Sequence, residues 1–188
     1  MTCIVGMVVN KRVYMSGDHI ATNLWAETHY NKQKVFFKDE FLIGICGSFR
    51  FGQLLEYTWV PPKRTRKDKT DLDYVINKVV PSWMELYKKH GFLKTETGED
   101  NGRVAGGTLL LGYNSHLYTV QDDFSVIEDS RGYDAVGCGE EVAKGALYVL
   151  HDNMDMSPEE KLRKALEASE QLCAPVKVDW DKFVVFKL

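Results

Sequence analysis

Thr2, Asp18 and Lys34 have the side-chain types from which an activated hydroxyl nucleophile is assembled. Removal of Met1, common before a small residue, would leave Thr2 with a free α-amine beside its own hydroxyl. An α-amino group has a reference pKa of about 7.7–8.0, so near neutral pH it can take the hydroxyl proton where an ordinary lysine could not. This is the threonine–terminal-amine form of nucleophile activation. A nearby cation lowers the amine pKa and favours its basic form, and a carboxylate holds that cation in place. Asp18 and Lys34 follow Thr2 by sixteen and thirty-two residues and supply both groups. Singly, each has an ordinary reading: Lys34 as an edge lysine, Asp18 as a turn residue after Gly17.

Strands and helices must bring these residues together. Cys3 to Val9 and Arg12 to Gly17 are apolar runs joined by Asn10-Lys11, which predicts a hairpin. Lys34 to Phe37 and Phe41 to Gly47 form a second pair around Lys38-Asp39-Glu40. From Ser48, an N-cap candidate, Phe51, Leu54, Leu55 and Trp59 recur at helical spacing until Pro61-Pro62. A second helix begins near Asp71 with Leu72, Val75, Ile76, Val79, Trp83, Leu86 and Tyr87 on one face, and Pro81 predicts a kink or break in it. Lys94 to Arg103 is polar and reads as a loop. Strands resume over Ala105 to Tyr113, Leu117 to Gln121 and Phe124 to Glu128. After Tyr133 to Gly139, a third helix covers Glu140 to His151. A fourth starts at Ser157-Pro158-Glu159-Glu160, a capping box with proline at its first position. Lys182 to Lys187 alternates as a final strand. Segregated runs of strands and helices predict a layered α+β domain over residues 1–188, with helix pairs covering antiparallel sheets.

Composition narrows the function classes. In 188 residues, 44% are hydrophobic and 27% charged, which excludes a disordered or fibrous chain. Net charge is −3, giving no global attraction to nucleic acid or an acidic membrane, and the basic run Lys63 to Lys69 reads as solvated surface or a protein-docking loop. No apolar run approaches the ~20 residues that span a bilayer, and the amino terminus has no basic leader or cleavage site. Cys3, Cys46, Cys138 and Cys173 lack CxxC or disulfide-like spacing and predict a reduced, cytoplasmic chain. Cys3 is expected to face the core, and Cys138 and Cys173 to be buried small hydrophobes. The five histidines (His19, His29, His90, His116 and His151) show no metal-ligand spacing, so neither metal nor cofactor is expected. Trp25 and Tyr30 read as core or subunit contacts.

The chain resembles the proteasome β-subunit and HslV peptidase family of N-terminal nucleophile hydrolases. The resemblance rests on Thr2-Cys3-Ile4-Val5-Gly6, Gly17-Asp18-His19-Ile20-Ala21-Thr22, the Lys34 spacing, Ile43-Gly44-Ile45-Cys46-Gly47 and Ala135-Val136-Gly137-Cys138-Gly139. Together these cover nearly the whole chain. The resemblance implies a four-layer αββα sandwich and a threonine peptidase acting through an acyl-enzyme on Thr2. Lys34 would tune the amine, Asp18 would pair with Lys34, and Cys138 would stand where the family has a proton-relaying serine. The Gly44 N–H would be the oxyanion donor, although on local grounds Gly44 serves nearly as well as a packing glycine. Thr22 and Cys46 would bind the substrate backbone as an added strand, and Ala21, Lys32, Leu42 and Cys46 would line the pocket before the scissile bond.

Homo-oligomeric rings, unfolded protein or peptide substrates and an AAA+ unfoldase partner are further implications, with no nucleic acid or membrane among the partners. Because only Met1 precedes Thr2, the arrangement resembles bacterial HslV. Two departures favour an alternative, a catalytically weak or inactive assembly subunit. A thiol at Cys138 is a weaker donor than a hydroxyl, and Gln171 stands nearest the family's downstream aspartate. An amidase for small amides is a third expectation that the residues leave open.

Overall fold

The computed structural model describes residues 2–23, 26–92 and 106–188. Trp25, the polar stretch from Lys94 to Arg103, and Ala105 therefore lie outside the described residues, as does the side chain of Thr22. The strands are β1 (Cys3–Val9), β2 (Arg12–Gly17), β3 (Ile20–Asn23), β4 (Ala26–His29), β5 (Val35–Lys38), β6 (Phe41–Gly47), β7 (Gly107–Tyr113), β8 (His116–Val120), β9 (Val126–Glu128), β10 (Tyr133–Gly137) and β11 (Phe186–Lys187). The helices are α1 (Phe49–Tyr57), α2 (Asp71–Tyr74), α3 (Val80–Lys89), α4 (Glu140–Leu150) and α5 (Pro158–Leu172).

Two antiparallel sheets form the middle of the molecule, one ordered β10-β1-β2-β11 and the other β5-β6-β7-β8-β9, while β3 and β4 pair as a separate hairpin. Strand alternation divides the apolar residues into three cores. Ile4, Val13, Met15, Val35, Leu42, Leu110, Leu117 and Val136 fill the space between the sheets. Cys3, Val5, Met7, Tyr133 and Ala135 face outward from the first sheet onto Ala143, Leu147, Leu162 and Leu166 of α4 and α5. Phe41, Ile43, Leu109, Leu111 and Tyr118 face outward from the second onto α1 and α3. The result is the expected αββα sandwich. Both faces of each sheet are covered, which explains why its strands read as continuous apolar runs.

Local chemistry accounts for several boundaries. Asn10 and Lys11 both take positive φ (51° and 61°), the geometry that a two-residue hairpin turn requires. Ser157 and Glu160 form the reciprocal capping box at the start of α5. Ser48 occupies the N-cap position of α1 without a side-chain capping bond.

The second helix departs from its expected face. Between α2 and α3 the chain widens into a π turn over Val75–Val79, where the Val80 N–H reaches back to Val75 O. Pro81 has no N–H to give and follows immediately, so the kink expected there is expressed as a π turn. The wider turn rotates the helix face: Tyr74, Val75, Val79, Val80, Trp83 and Tyr87 are buried, whereas Leu72 and Ile76 are exposed. At the carboxyl end Phe186–Lys187 pair with β2 and Leu188 extends the pairing through two backbone hydrogen bonds with Val13, so the strand lies further along the chain than the alternation over 182–187 predicts.

Candidate active site

The antiparallel registers converge on one end of the sandwich. β1 begins there, and β2 and β10 end there at Gly17 and Gly137, which pair with Ile4 and Cys3. β5 begins and β6 ends at the corresponding end of the second sheet, joined at Val35 and Gly44. Thr2 precedes β1, Asp18 follows β2 and Lys34 precedes β5, so three residues far apart in sequence meet at the edges of both sheets.

The Lys34 ammonium donates to Thr2 Oγ1 at 3.0 Å, to both Asp18 oxygens at 2.9 Å and to Ile20 O at 2.6 Å. Asp18 is itself locked into the β1–β2 ladder: its N–H donates to Cys3 O (3.0 Å), and its Oδ1 accepts the Cys3 N–H (2.9 Å). Relative exposures of 5% for Thr2, 0% for Asp18 and 2% for Lys34 make this a desolvated cluster, in which each charge depends on its partner. Burial pushes the Asp18 carboxyl above its ordinary value, and the Lys34 ammonium and Cys3 N–H oppose that rise.

The remaining expected site residues separate into those near this cluster and those elsewhere. Gly44 is buried in mid-strand. Ile45 N–H bonds to Lys34 O across the β5 pairing, so by alternation Gly44 turns its own N–H toward β7, where it is paired with Leu110. A Cβ on Gly44 would lie 2.6 Å from Ile4 Cγ2 and 2.7 Å from Met15 Sδ. The structure thus packs Gly44 between the sheets and engages its N–H in the β6–β7 ladder. Gly47, where the apolar strand gives way to a helix, ends β6 with φ +120°, and by the same alternation its N–H faces the β5 side beyond the last Ile45–Lys34 bond.

Leu42 is fully buried between the sheets among Ile4, Val13 and Leu110. Lys32 is exposed, pairing with Glu56 at 3.3 Å and lying over the Tyr57 ring. Ala21 is half-buried in β3, one residue beyond the carbonyl that accepts from Lys34.

Cysteines surround Thr2. Cys46 is half-buried, with its sulfur 3.0 Å from the position a Cβ on Gly137 would take. Burial pushes its thiol up to about 11. Cys138 is exposed, contrary to expectation, and its thiol donates to Thr2 O at 3.2 Å. It follows Gly137, whose φ of +104° lets the chain pass against the Thr2 carbonyl, and that turn carries the side chain outward. Cys173, half-buried rather than buried, donates to Cys138 O at 3.1 Å. Cys3 faces the core as expected. Gln171 is exposed on α5.

Among the described residues, no group of three His, Cys, Asp or Glu side chains could hold a metal ion, and no helix is long and apolar enough to cross a membrane. The basic run from Lys63 to Lys69 is partly neutralised, Arg64 by Asp71 and its own Asp68 by Lys78.

Two stacked antiparallel sheets between helix pairs form a layered α+β sandwich that solved structures share. Among solved structures, the chain is similar over its whole length to BPH of Thiobacillus denitrificans in complex with epoxomicin (TM-score 0.77, 17% identity, 98% of that chain covered). The same protein without epoxomicin gives a TM-score of 0.77 at 17% identity over 97% of its chain. Eukaryotic HslV from Trypanosoma brucei matches with a TM-score of 0.69 at 20% identity over 99% of its chain. No protein-family model matches the chain. At these identities the likeness is one of fold.

Proposed function

We propose that this chain is a threonine-type peptidase subunit of a ring-forming, self-compartmentalised protease. The observation that carries this reading is the Lys34 ammonium, held by both oxygens of Asp18 and 3.0 Å from the Thr2 hydroxyl. With Met1 removed, the Thr2 α-amine accepts the hydroxyl proton as Oγ1 attacks a substrate carbonyl. The buried Lys34 charge favours the neutral, basic form of that amine. The Gly47 N–H is directed to receive the developing oxyanion. Collapse of the tetrahedral intermediate passes the proton from the amine to the leaving nitrogen and leaves an ester on Thr2. Water, activated by the same amine, releases the acid and restores the hydroxyl. Ala21, Thr22 and Cys46 flank the path of an extended substrate, and rings of this subunit would admit unfolded chains delivered by an AAA+ unfoldase.

The test is the intact mass of protein purified from its native host, followed by reaction with a peptidyl epoxyketone or boronate. Loss of one methionine and gain of a single adduct, absent in Thr2→Ala, is the expected result. Retained Met1 and no adduct would overturn the peptidase reading in favour of an assembly subunit, to which the Cys138 thiol and the exposed Gln171 already lend support.

A further inference from the structure

A titratable side chain that the proposed chemistry leaves idle is buried beside the ion pair. His19 directly follows Asp18 and is 2% exposed. Its N–H donates to Lys177 O and its carbonyl accepts the Tyr30 N–H, both at 3.1 Å. In the ring, Nδ1 accepts the Asp179 N–H at 3.4 Å, which assigns the neutral ring's proton to Nε2. Nε2 is sealed from water and makes no hydrogen bond of ordinary geometry. Beside the ring stand the Lys182 carbonyl and Gln33, whose amide donates to that carbonyl at 3.1 Å. The segment 177–182 thus straps over the imidazole, one residue from Asp18 on one side and one from Lys34 on the other. Its outer side is moored to α5, where Glu170 accepts the Val178 N–H and the Trp180 indole N–H, both at 2.9 Å.

We propose that His19 is a positioning residue: its neutral imidazole latches the strap 177–182 against the Asp18–Lys34 pair, and protonation opens the latch. A protonated ring would turn Nδ1 from acceptor to donor against the Asp179 N–H and place a charge where water cannot reach it. The Lys182 carbonyl first, then Asp179 and Asp18, and last Gln33 favour that charge, but Asp179 is already paired with Lys182 at 2.9 Å, and His29 on β4 is exposed. Burial outweighs them and holds His19 below its ordinary value of 6.5. With the folded pKa below the unfolded one, the latch is fully set above about 6.5 and is lost as pH falls through the lower folded value.

The latch is read without reference to catalysis, through hydrogen exchange at the Asp179 amide corrected for its intrinsic pH dependence. Protection in the wild type should fall by about tenfold or more as pH is lowered from roughly 7.5 through the folded His19 value, which lies below 6.5. His19→Asn offers an amide oxygen near the Nδ1 position and does not titrate, so it should remain protected at both ends of that range. His19→Ala should be unprotected throughout. A flat wild-type profile, or His19→Asn behaving as His19→Ala, overturns the proposal. A second arm rests on the peptidase reading: the ratio of wild-type to His19→Asn kcat should fall below pH 6.5 with KM little changed, the limb due to the Thr2 amine cancelling. Absence of hydrolysis at every pH would count against the peptidase and leave the exchange result to decide the latch.

Discussion

Lys34 and Asp18 form a two-pronged ion pair sealed from solvent, with the ammonium 2.9 Å from each carboxylate oxygen. Desolvating two charges is costly, so this pair is poor evidence for stability but strong evidence for a specified geometry. Removing one partner strands the other. Lys34→Met should lower unfolding stability by about 3–5 kcal/mol, because the Asp18 carboxylate loses its counter-charge. The double variant Asp18→Asn/Lys34→Met should recover part of that loss. Urea denaturation of the singles and the double gives the coupling energy, and strict additivity would mean the pair does not interact as described.

Gly44 and Gly47 lie on the same strand and should respond differently to a methyl group. At Gly44 the new Cβ meets Ile4 and Met15 in the inter-sheet core, so Gly44→Ala should cost about 1–3 kcal/mol through overpacking. Turnover by the fraction that folds should be unaffected. Gly47→Ala meets the Gly106 carbonyl at a φ of +120°, which displaces the strand end and its N–H. On the proposed peptidase reading, its kcat should fall with KM little changed, the signature of an interaction made only in the transition state. Equal kcat loss in both variants would reject this assignment.

How far the sequence revealed the molecule depends on how local each signal is. The Asn10-Lys11 turn and the Ser157–Glu160 box are complete within a few residues, and both elements stand where those residues predict. The Thr2, Asp18 and Lys34 set was legible because each residue adjoins a strand whose apolar pattern is plain. Positions set by pairing between strands were not legible. Whether Gly44 offers its N–H to a ligand or to β7 is decided by register, and an apolar run is silent about register. Leu42 follows from the same face of β6. The exposure of Cys138 turns on the positive φ of Gly137, and that of Ile76 on the π turn before Pro81. The hairpin β3–β4 lacks strong alternation and carried no usable strand signal.

On the proposed peptidase reading, variants at Leu42 and Cys46 should separate stability from substrate preference. Leu42 is enclosed between the sheets, so Leu42→Ala should cost about 2–5 kcal/mol without changing which peptide bonds are cut. Cys46 is half-buried at the open end of the same face, close to Gly137 and Thr2. Cys46→Phe should shift preference toward smaller side chains before the cut bond. The measurement is the ratio of kcat/KM for peptide substrates differing only at that residue, set beside thermal midpoints. A change of preference in Leu42→Ala would return that residue to the pocket.

The four thiols should react with an alkylating reagent in an order fixed by burial. Only the thiolate attacks, and burial raises the cost of forming it. Cys3 is pushed up to about 12 and Cys46 to about 11. At about pH 8 a thiol near 11 is thiolate in only about one molecule per thousand. Because both values lie above the working pH, raising the pH increases their reaction, but Cys3 remains blocked by its position in β1. Cys138 is exposed and should take iodoacetamide first, with the half-buried Cys173 behind it. Peptide mapping over a time course reads the order, and the same reaction in urea should make all four equivalent. Alkylation of Cys3 before Cys138 in the folded protein would contradict the outward turn at Gly137. The adduct has a second use: it lies beside the Thr2 carbonyl, so blocking Cys138 should depress turnover more than stability.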